Sequence, residues 1–294
     1  MQRDYTKYEF HIINLFNKCE NLTWKGKVFN KIKACKPRSQ GGGGEPKTDV
    51  YIFLESDHHE HKEEIKISLK QNNSEFLANK LTAVVAEDLL GSDWSNIIQT
   101  SVKSIKQNFL QTKIVYLKEK NGQEDAYFTL GWKLEITNKP RKLSSKLDLP
   151  SSQIVDIIYR GINQPIKKKN AIVFDNVKNN SGVAEYLLEG NILFHSNVET
   201  VIEDLKCLDG YIPNDIYLVF TANNYRLLAD KADGPRALAV AIKWNIDQYR
   251  LKPEFIFDNP LILKGETDMM PIIKSCLKHL DFKNIKELDR IMPL

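Results

Sequence analysis

A mixed α/β fold, with a central sheet that carries a hairpin and is flanked by helices, is what this sequence predicts. Three observations carry the expectation. Residues 4–20, DYTKYEFHIINLFNKCE, place Tyr8, Ile12, Leu15 and Phe16 at helical spacing. VYIFLE and IKISLK read as strands on either side of a polar turn, SDHHEHKE. SEFLANKLTAVVAEDLL, residues 74–90, then reads as a helix.

The elements follow in order. Asp4 is a suitable cap for the first helix. KGKVFNKIKAC, 25–35, reads as a second short helix, and the glycine run GGGGEP follows it. Strands at 49–55 and 64–70 form an antiparallel hairpin, in which Ile65, Ile67 and Leu69 alternate with Lys66, Ser68 and Lys70. The helix at 74–90 is capped by Ser74 and closed by Gly91, and another spans 94–110. KIVYLKEKNGQEDAYFTLGWKLEIT is a second hairpin with Asn121-Gly122 at its turn. The polar stretch 137–150 contains two prolines and marks a boundary. Beyond it, helices are expected at 151–161, 197–207, 235–249 and 270–280, and strands at 171–174 and 215–221. The expectation is a single domain, 1–294. Residues 1–136 form its catalytic portion, and 137–294 form an elaborated second half for recognition and structure.

Composition narrows the function classes. The 294 residues suffice for a substantial core; 27% are charged and 42% hydrophobic, as in ordinary globular proteins. A net charge of +4 permits a polyanionic partner without demanding one. Cys19, Cys35, Cys207 and Cys276 are scattered, which argues against a zinc site or disulfide framework and for a reducing cytoplasm. MQRDYTKYEF has no apolar signal core, and no apolar run is long enough to span a bilayer. No Gly-x-Gly-x-x-Gly, Walker loop or Gly-x-Ser-x-Gly is present, so a metabolic α/β enzyme is disfavoured.

The chemistry points to Asp49, which stands at a strand start just after the glycine run. Glycines let a bulky ligand approach, and Pro46 stiffens the backbone before the carboxylate. A turn centred near His59 and Glu60 puts Asp49 opposite Lys70 and Ser68 opposite Tyr51. Glu64-x-Lys66 is the competing pair. In that register Glu64 lies near Glu55, roughly 20 Å along the strand from Asp49 at about 3.3 Å per residue. Ser68 and Lys70 are therefore favoured. A carboxylate suits Mg²⁺, a hard ion that polarises a phosphoryl oxygen and acidifies its water, and a lysine steadies developing charge. Ser68 is neutral and a poor primary ligand.

An aspartate, a strand, then x-x-Lys on the next strand resembles the PD-(D/E)-x-K nuclease superfamily. Over roughly residues 5–90, GGGGEPKTDVYI, IKISLKQNN and the helix after them resemble type II restriction endonucleases of the MspI-like kind. Those enzymes carry a Gly-Gly-x-Pro-Lys-Thr-Asp block and a non-acidic residue two before the lysine. The resemblance implies a restriction-endonuclease-like core and Mg²⁺-dependent cleavage of double-stranded DNA, with Mn²⁺ as a possible substitute. It implies Asp49, Ser68, Lys70 and Glu9 as catalytic residues, with Asp49 and Glu9 at the metal. Glu9 corresponds to the leading helix's inward glutamate. The departure is Ser68, where a carboxylate is missing; Glu9 and Glu87 are the candidates to supply that oxygen.

DNA contacts are expected from Lys47 and two polar stretches. GINQPIKKKN offers Asn163, Gln164 and Lys168, and TANNYRLLADKADGPRAL offers Asn223, Asn224, Arg226 and Arg236. Asn, Gln and Arg pair with purine edges, and Lys suits phosphates. His58, His59 and His61 read as a solvated hairpin tip rather than a metal site. A monomer or homodimer acting on duplex DNA is one expectation. A non-catalytic DNA-binding protein on a degenerate nuclease fold is the alternative, and a less specific repair or defence nuclease is a close variant of the first.

Overall fold

The computed structural model describes residues 4–41, 44–57, 61–71, 76–79, 81–120 and 122–292. It is a mixed α/β structure whose chain groups into two compact units, each made of two segments. The first unit is 1–74 with 149–213, and the second is 75–148 with 214–294. One crossing falls inside the polar stretch 137–150. The segment 149–213 returns to the first unit, so the division does not follow a cut at 136.

In the first unit the helix Asp4–Asn17 buries Tyr8, Ile12, Ile13 and Phe16. The expected helix at 25–35 is instead two strands, Lys27–Phe29 and Lys31–Cys35. Lys25 and Gly26, with φ of 50° and 76°, form the tight turn that pairs Trp24 with Lys27. That reversal forbids a helix, and Lys31, Lys33 and Cys35 then line up beside the hairpin. A five-stranded sheet runs in the order Lys206–Cys207, Tyr186–Gly190, Lys62–Gln71, Val50–Glu55, Lys31–Cys35. Tyr186–Gly190 is parallel to Lys62–Gln71 and the other neighbours are antiparallel, so the sheet is mixed. One face, with Val50, Ile52, Leu54, Ile65, Ile67, Leu69 and Leu188, shares a core with the first helix and with Val201 of the helix Val198–Asp204.

The hairpin register differs from the expected one by two residues. Val50 pairs with Ile67 and Tyr51 with Lys66, which sets Asp49 opposite Ser68 rather than Lys70. The turn is closed earlier than a centre at His59 and Glu60 implies. The Ser56 N–H donates to the His61 carbonyl, and the His61 N–H to Ser56 Oγ, both at 3.0 Å. Glu64 consequently faces Phe53, not Glu55. A shift of two preserves the alternation, so every side chain keeps its expected face. His58 and His59 lie outside the described residues, and His61 is exposed.

The second unit is built on the long strand Gln123–Thr137, flanked by Tyr217–Arg226 and Val240–Asp247, with Lys231–Ala232 and Arg250–Ile256 at the ends. Its hairpin to Val115–Lys120 has the expected register, Lys120 opposite Gln123; Asn121 lies outside the described residues. Two expected helices are corrected. At 235–249 the chain forms the strand Val240–Asp247, whose apolar run is buried on both faces. At 74–90 the helix is only Ala83–Leu90, with Thr82 capping Val85 N–H and Gly91 at its end; Ser74 lies outside the described residues. Glu87 of that helix belongs to the second unit. No helix among the described residues is long and apolar enough to cross a membrane.

Candidate active site

Asp49 sits one residue before its strand, and its N–H donates to the Ile67 carbonyl at 2.8 Å. Its Oδ2 accepts the Leu69 N–H at 2.7 Å and the Ser68 hydroxyl at 3.4 Å. Those two bonds turn the carboxylate toward the strand Lys62–Gln71, on which Lys70 stands two residues beyond Ser68. Burial pushes the Asp49 carboxyl up, while the Lys70 ammonium, the Leu69 N–H, Lys47 and Lys36 hold it down. Ser68 is fully buried. Its hydroxyl orients Asp49 and is not displayed as a ligand.

The Pro-Lys-Thr-Asp block is pinned from behind. Lys47 N–H and Thr48 N–H both donate to the Gly182 carbonyl at 3.1 Å. A Cβ on Gly182 would overlap the Lys168 carbonyl oxygen and come 3.0 Å from Pro46 Cβ, so only glycine lets these segments cross. Gly161, at φ 76°, likewise leaves room for the Lys47 stem. The stretch 161–170 thus borders the site. Gln40 N–H donates to the Lys167 carbonyl at 3.0 Å, and a Cβ on Gly44 would stand 3.4 Å from Lys168 Nζ. Lys168 therefore reaches the edge of the aspartate loop beside Gly44. Asn163 is exposed, while Gln164 is half-buried with Oε1 lacking a hydrogen-bond partner among the described residues.

Glu9 is buried, at 8% exposure. Lys36 Nζ lies 2.6 Å from its Oε2 and 2.9 Å from Glu45 Oε1. Burial raises the Glu9 carboxyl and the Asp49 charge adds to that, against the Lys36 hydrogen bond. Lys36, one residue beyond the strand Lys31–Cys35, carried no sequence signal, because 25–35 reads as a helix.

The strict pair Glu64-x-Lys66 lies elsewhere, in a cleft of about 670 Å³. Lys66 Nζ is 2.7 Å from Glu185 Oε1 and Glu64 pairs with Lys178, so both charges are already matched. At Asp49 the donor chemistry fits a hard cation. Oδ2 takes both of the carboxylate's hydrogen bonds among the described residues, and the adjacent Thr48 Oγ1 is buried with no hydrogen-bond partner among those residues.

The candidates in the second unit are differently placed. Asn223 and Asn224 are buried, at 1% and 6% exposure. Asn224 accepts from Thr129 Oγ1 and donates to Asp233, Asn223 donates to the Gly234 carbonyl, and Arg226 pairs with Asp233 at 3.2 Å. These side chains tie the sheet to the loop after it, and the two asparagines are turned into the protein rather than displayed on its surface. Arg236 is half-buried and makes no ion pair among the described residues.

Lys47 supplies a measurable signature. Burial, then the Lys70 charge, lower its pKa to about 7, against a smaller pull from Asp49. Between pH 7 and the ordinary lysine range near 10.5 the unfolded chain binds a proton that the folded one does not, so stability rises with pH there. Below pH 7 both states are charged and the full cost of burying the ammonium is felt. Lys47→Met is therefore expected to raise the Tm most below pH 7, with the gain shrinking toward pH 10.5. A gain constant across that range, followed by calorimetry in chelator, would mean that the amine is not shifted.

Comparison with protein family models, with curated proteins and with solved structures finds no match to this chain.

Proposed function

We propose that this protein is a Mg²⁺-dependent endonuclease of double-stranded DNA, acting in the manner of a type II restriction enzyme. One observation carries the reading. A half-buried aspartate is oriented by the Leu69 N–H and Ser68 at the end of a hairpin, with Lys70 and Lys47 near enough for their charges to act on it. A mixed sheet carrying that hairpin, backed by the leading helix, is the architecture such a core requires.

Asp49 would hold the ion, and a bound Mg²⁺ supplies charge relief on the phosphate and a more acidic water. The chain's own part is positional and electrostatic. Lys70 stabilises charge that builds on the phosphoryl oxygens, Lys47 holds a non-bridging oxygen, and Lys168 with Lys167 meets the flanking phosphates. Asn163 and Gln164, in the same stretch, are the candidates to reach base edges.

Plasmid incubated with Mg²⁺ or Mn²⁺ is expected to be cut, and plasmid with Ca²⁺ or chelator to stay intact. Discrete bands mark sequence specificity, and a smear marks a loosely specific nuclease. Cutting that persists in chelator would overturn the metal-dependent reading. Ser68 favours the second reading, a DNA-binding protein without catalysis, because a neutral buried hydroxyl stands where a second carboxylate would serve. That protein would bind plasmid in Ca²⁺ yet leave it whole in Mg²⁺. In either case affinity should fall steeply between about 50 and 200 mM salt, because phosphate contacts release counterions. A flat titration would point to a partner other than nucleic acid.

A further inference from the structure

We infer that Lys36 fills the place of a second cation, so that each site takes a single divalent ion, at Asp49. The inference deepens the nuclease reading and rests on it. Its observations are separate from those that suggested Asp49.

Phosphodiester cleavage is served by one metal ion or by two held about 3.5–4 Å apart. A second ion needs carboxylate oxygens of its own. Among the described residues, Glu9 and Glu45 are acidic side chains that lie with Asp49 in one electrostatic cluster. Both are already claimed. The Lys36 ammonium lies 2.6 Å from Glu9 Oε2 and 2.9 Å from Glu45 Oε1. Glu9 is buried, so its charge needs a permanent partner, and Lys36 is that partner at hydrogen-bond distance. The position beside Asp49 that would complete a bridging pair is Ser68, which is neutral and fully buried.

The geometry agrees. Lys36 already brings a positive charge to both Glu9 and Glu45 at hydrogen-bond distance, so a second divalent ion would have to displace it and would add two further positive charges beside the ion at Asp49. Lys36 thus spares the protein a second ion, and Glu9 anchors that lysine rather than the metal.

Mn²⁺ binding, counted from the loss of the free-ion electron paramagnetic resonance signal, tests this without DNA. One Mn²⁺ per chain is expected in the wild type. Asp49→Asn should lose it, whereas Glu9→Gln and Lys36→Arg should keep it. Lys36→Met frees Glu9 and Glu45 and should raise the count to two, and adding Glu9→Gln to it should return the count to one. Two ions in the wild type, or loss of the single ion in Glu9→Gln, would overturn the inference and leave the metal-dependent reading intact. No ion in the wild type would overturn both. Should Lys36→Met not fold, the Glu9→Gln and Lys36→Arg counts decide the question.

Discussion

Replacing Lys70 by alanine is expected to lower plasmid cleavage by roughly 10²–10³-fold while leaving DNA binding in Ca²⁺ largely intact, since a group that steadies the transition state adds little to ground-state affinity. Asp49→Ala should fall below detection and, by removing a negative charge near phosphate, tighten binding in chelator. The informative contrast is with Lys66, the same residue type four positions earlier on the same face of the strand. Lys66 is held by Glu185 at 2.7 Å and sits opposite Tyr51, so Lys66→Ala should keep most activity and lose only some thermal stability. Glu64→Gln should also cut normally, because Glu64 is spent on Lys178. Four single mutants, assayed for plasmid cleavage and for binding in Ca²⁺, separate the two candidate centres. Dead Glu64→Gln and Lys66→Ala with an active Lys70→Ala would place the centre in the cleft of the strict pair. Normal cutting by all four would remove it from this hairpin altogether.

The juxtaposition of Asp49 with Ser68 and Lys70 was legible because a strand's alternation is strict. An error of two residues in register changed the partner of Asp49 from Lys70 to Ser68 but moved no side chain to the wrong face. The register itself was hidden, because a turn as uniformly polar as SDHHEHKE does not say which pair of residues closes it. The leading helix was legible from the spacing of its buried residues, and the second hairpin from its alternation and Asn-Gly turn. KGKVFNKIKAC and the run around ALAVAI were not. Short apolar segments fit either period, and what decided them was a tight turn at Lys25-Gly26 in one case and burial between neighbouring strands in the other. The division into units was equally invisible, since each is closed by a segment that returns from far along the chain. Among the site residues, Glu9 could be placed in the leading helix, but its capture by Lys36 depends on a contact 27 positions away. Asn223 and Asn224 looked like base readers because their residue types suit that task. Type alone does not reveal that a side chain points inward.

Gly182→Ala is expected to damage stability and catalysis together, although the residue lies more than a hundred positions from Asp49 in sequence. Its carbonyl accepts the N–H groups of Lys47 and Thr48 at 3.1 Å, and its own N–H donates to the Lys169 carbonyl at 2.8 Å. One residue therefore fastens the strand start that presents Asp49 to the basic stretch proposed to meet phosphates. An added methyl would collide with the Lys168 carbonyl, which is backbone and cannot swing aside as a side-chain tip would. Relief requires residue 182 to move off the 168–169 backbone, which strains its own bond to the Lys169 carbonyl and displaces the carbonyl that holds Lys47 and Thr48. Overpacking of this kind costs about 1–3 kcal/mol, and the loss of aim at Asp49 adds a catalytic penalty that a uniformly destabilised protein would not show. The expected result is a lower Tm by calorimetry, together with cleavage reduced at temperatures where the variant remains folded. DNA affinity should weaken as well, because Lys167 and Lys168 move with the same backbone. A variant with wild-type Tm and wild-type cleavage would show that the crossing at Gly182 does not govern how Asp49 is held.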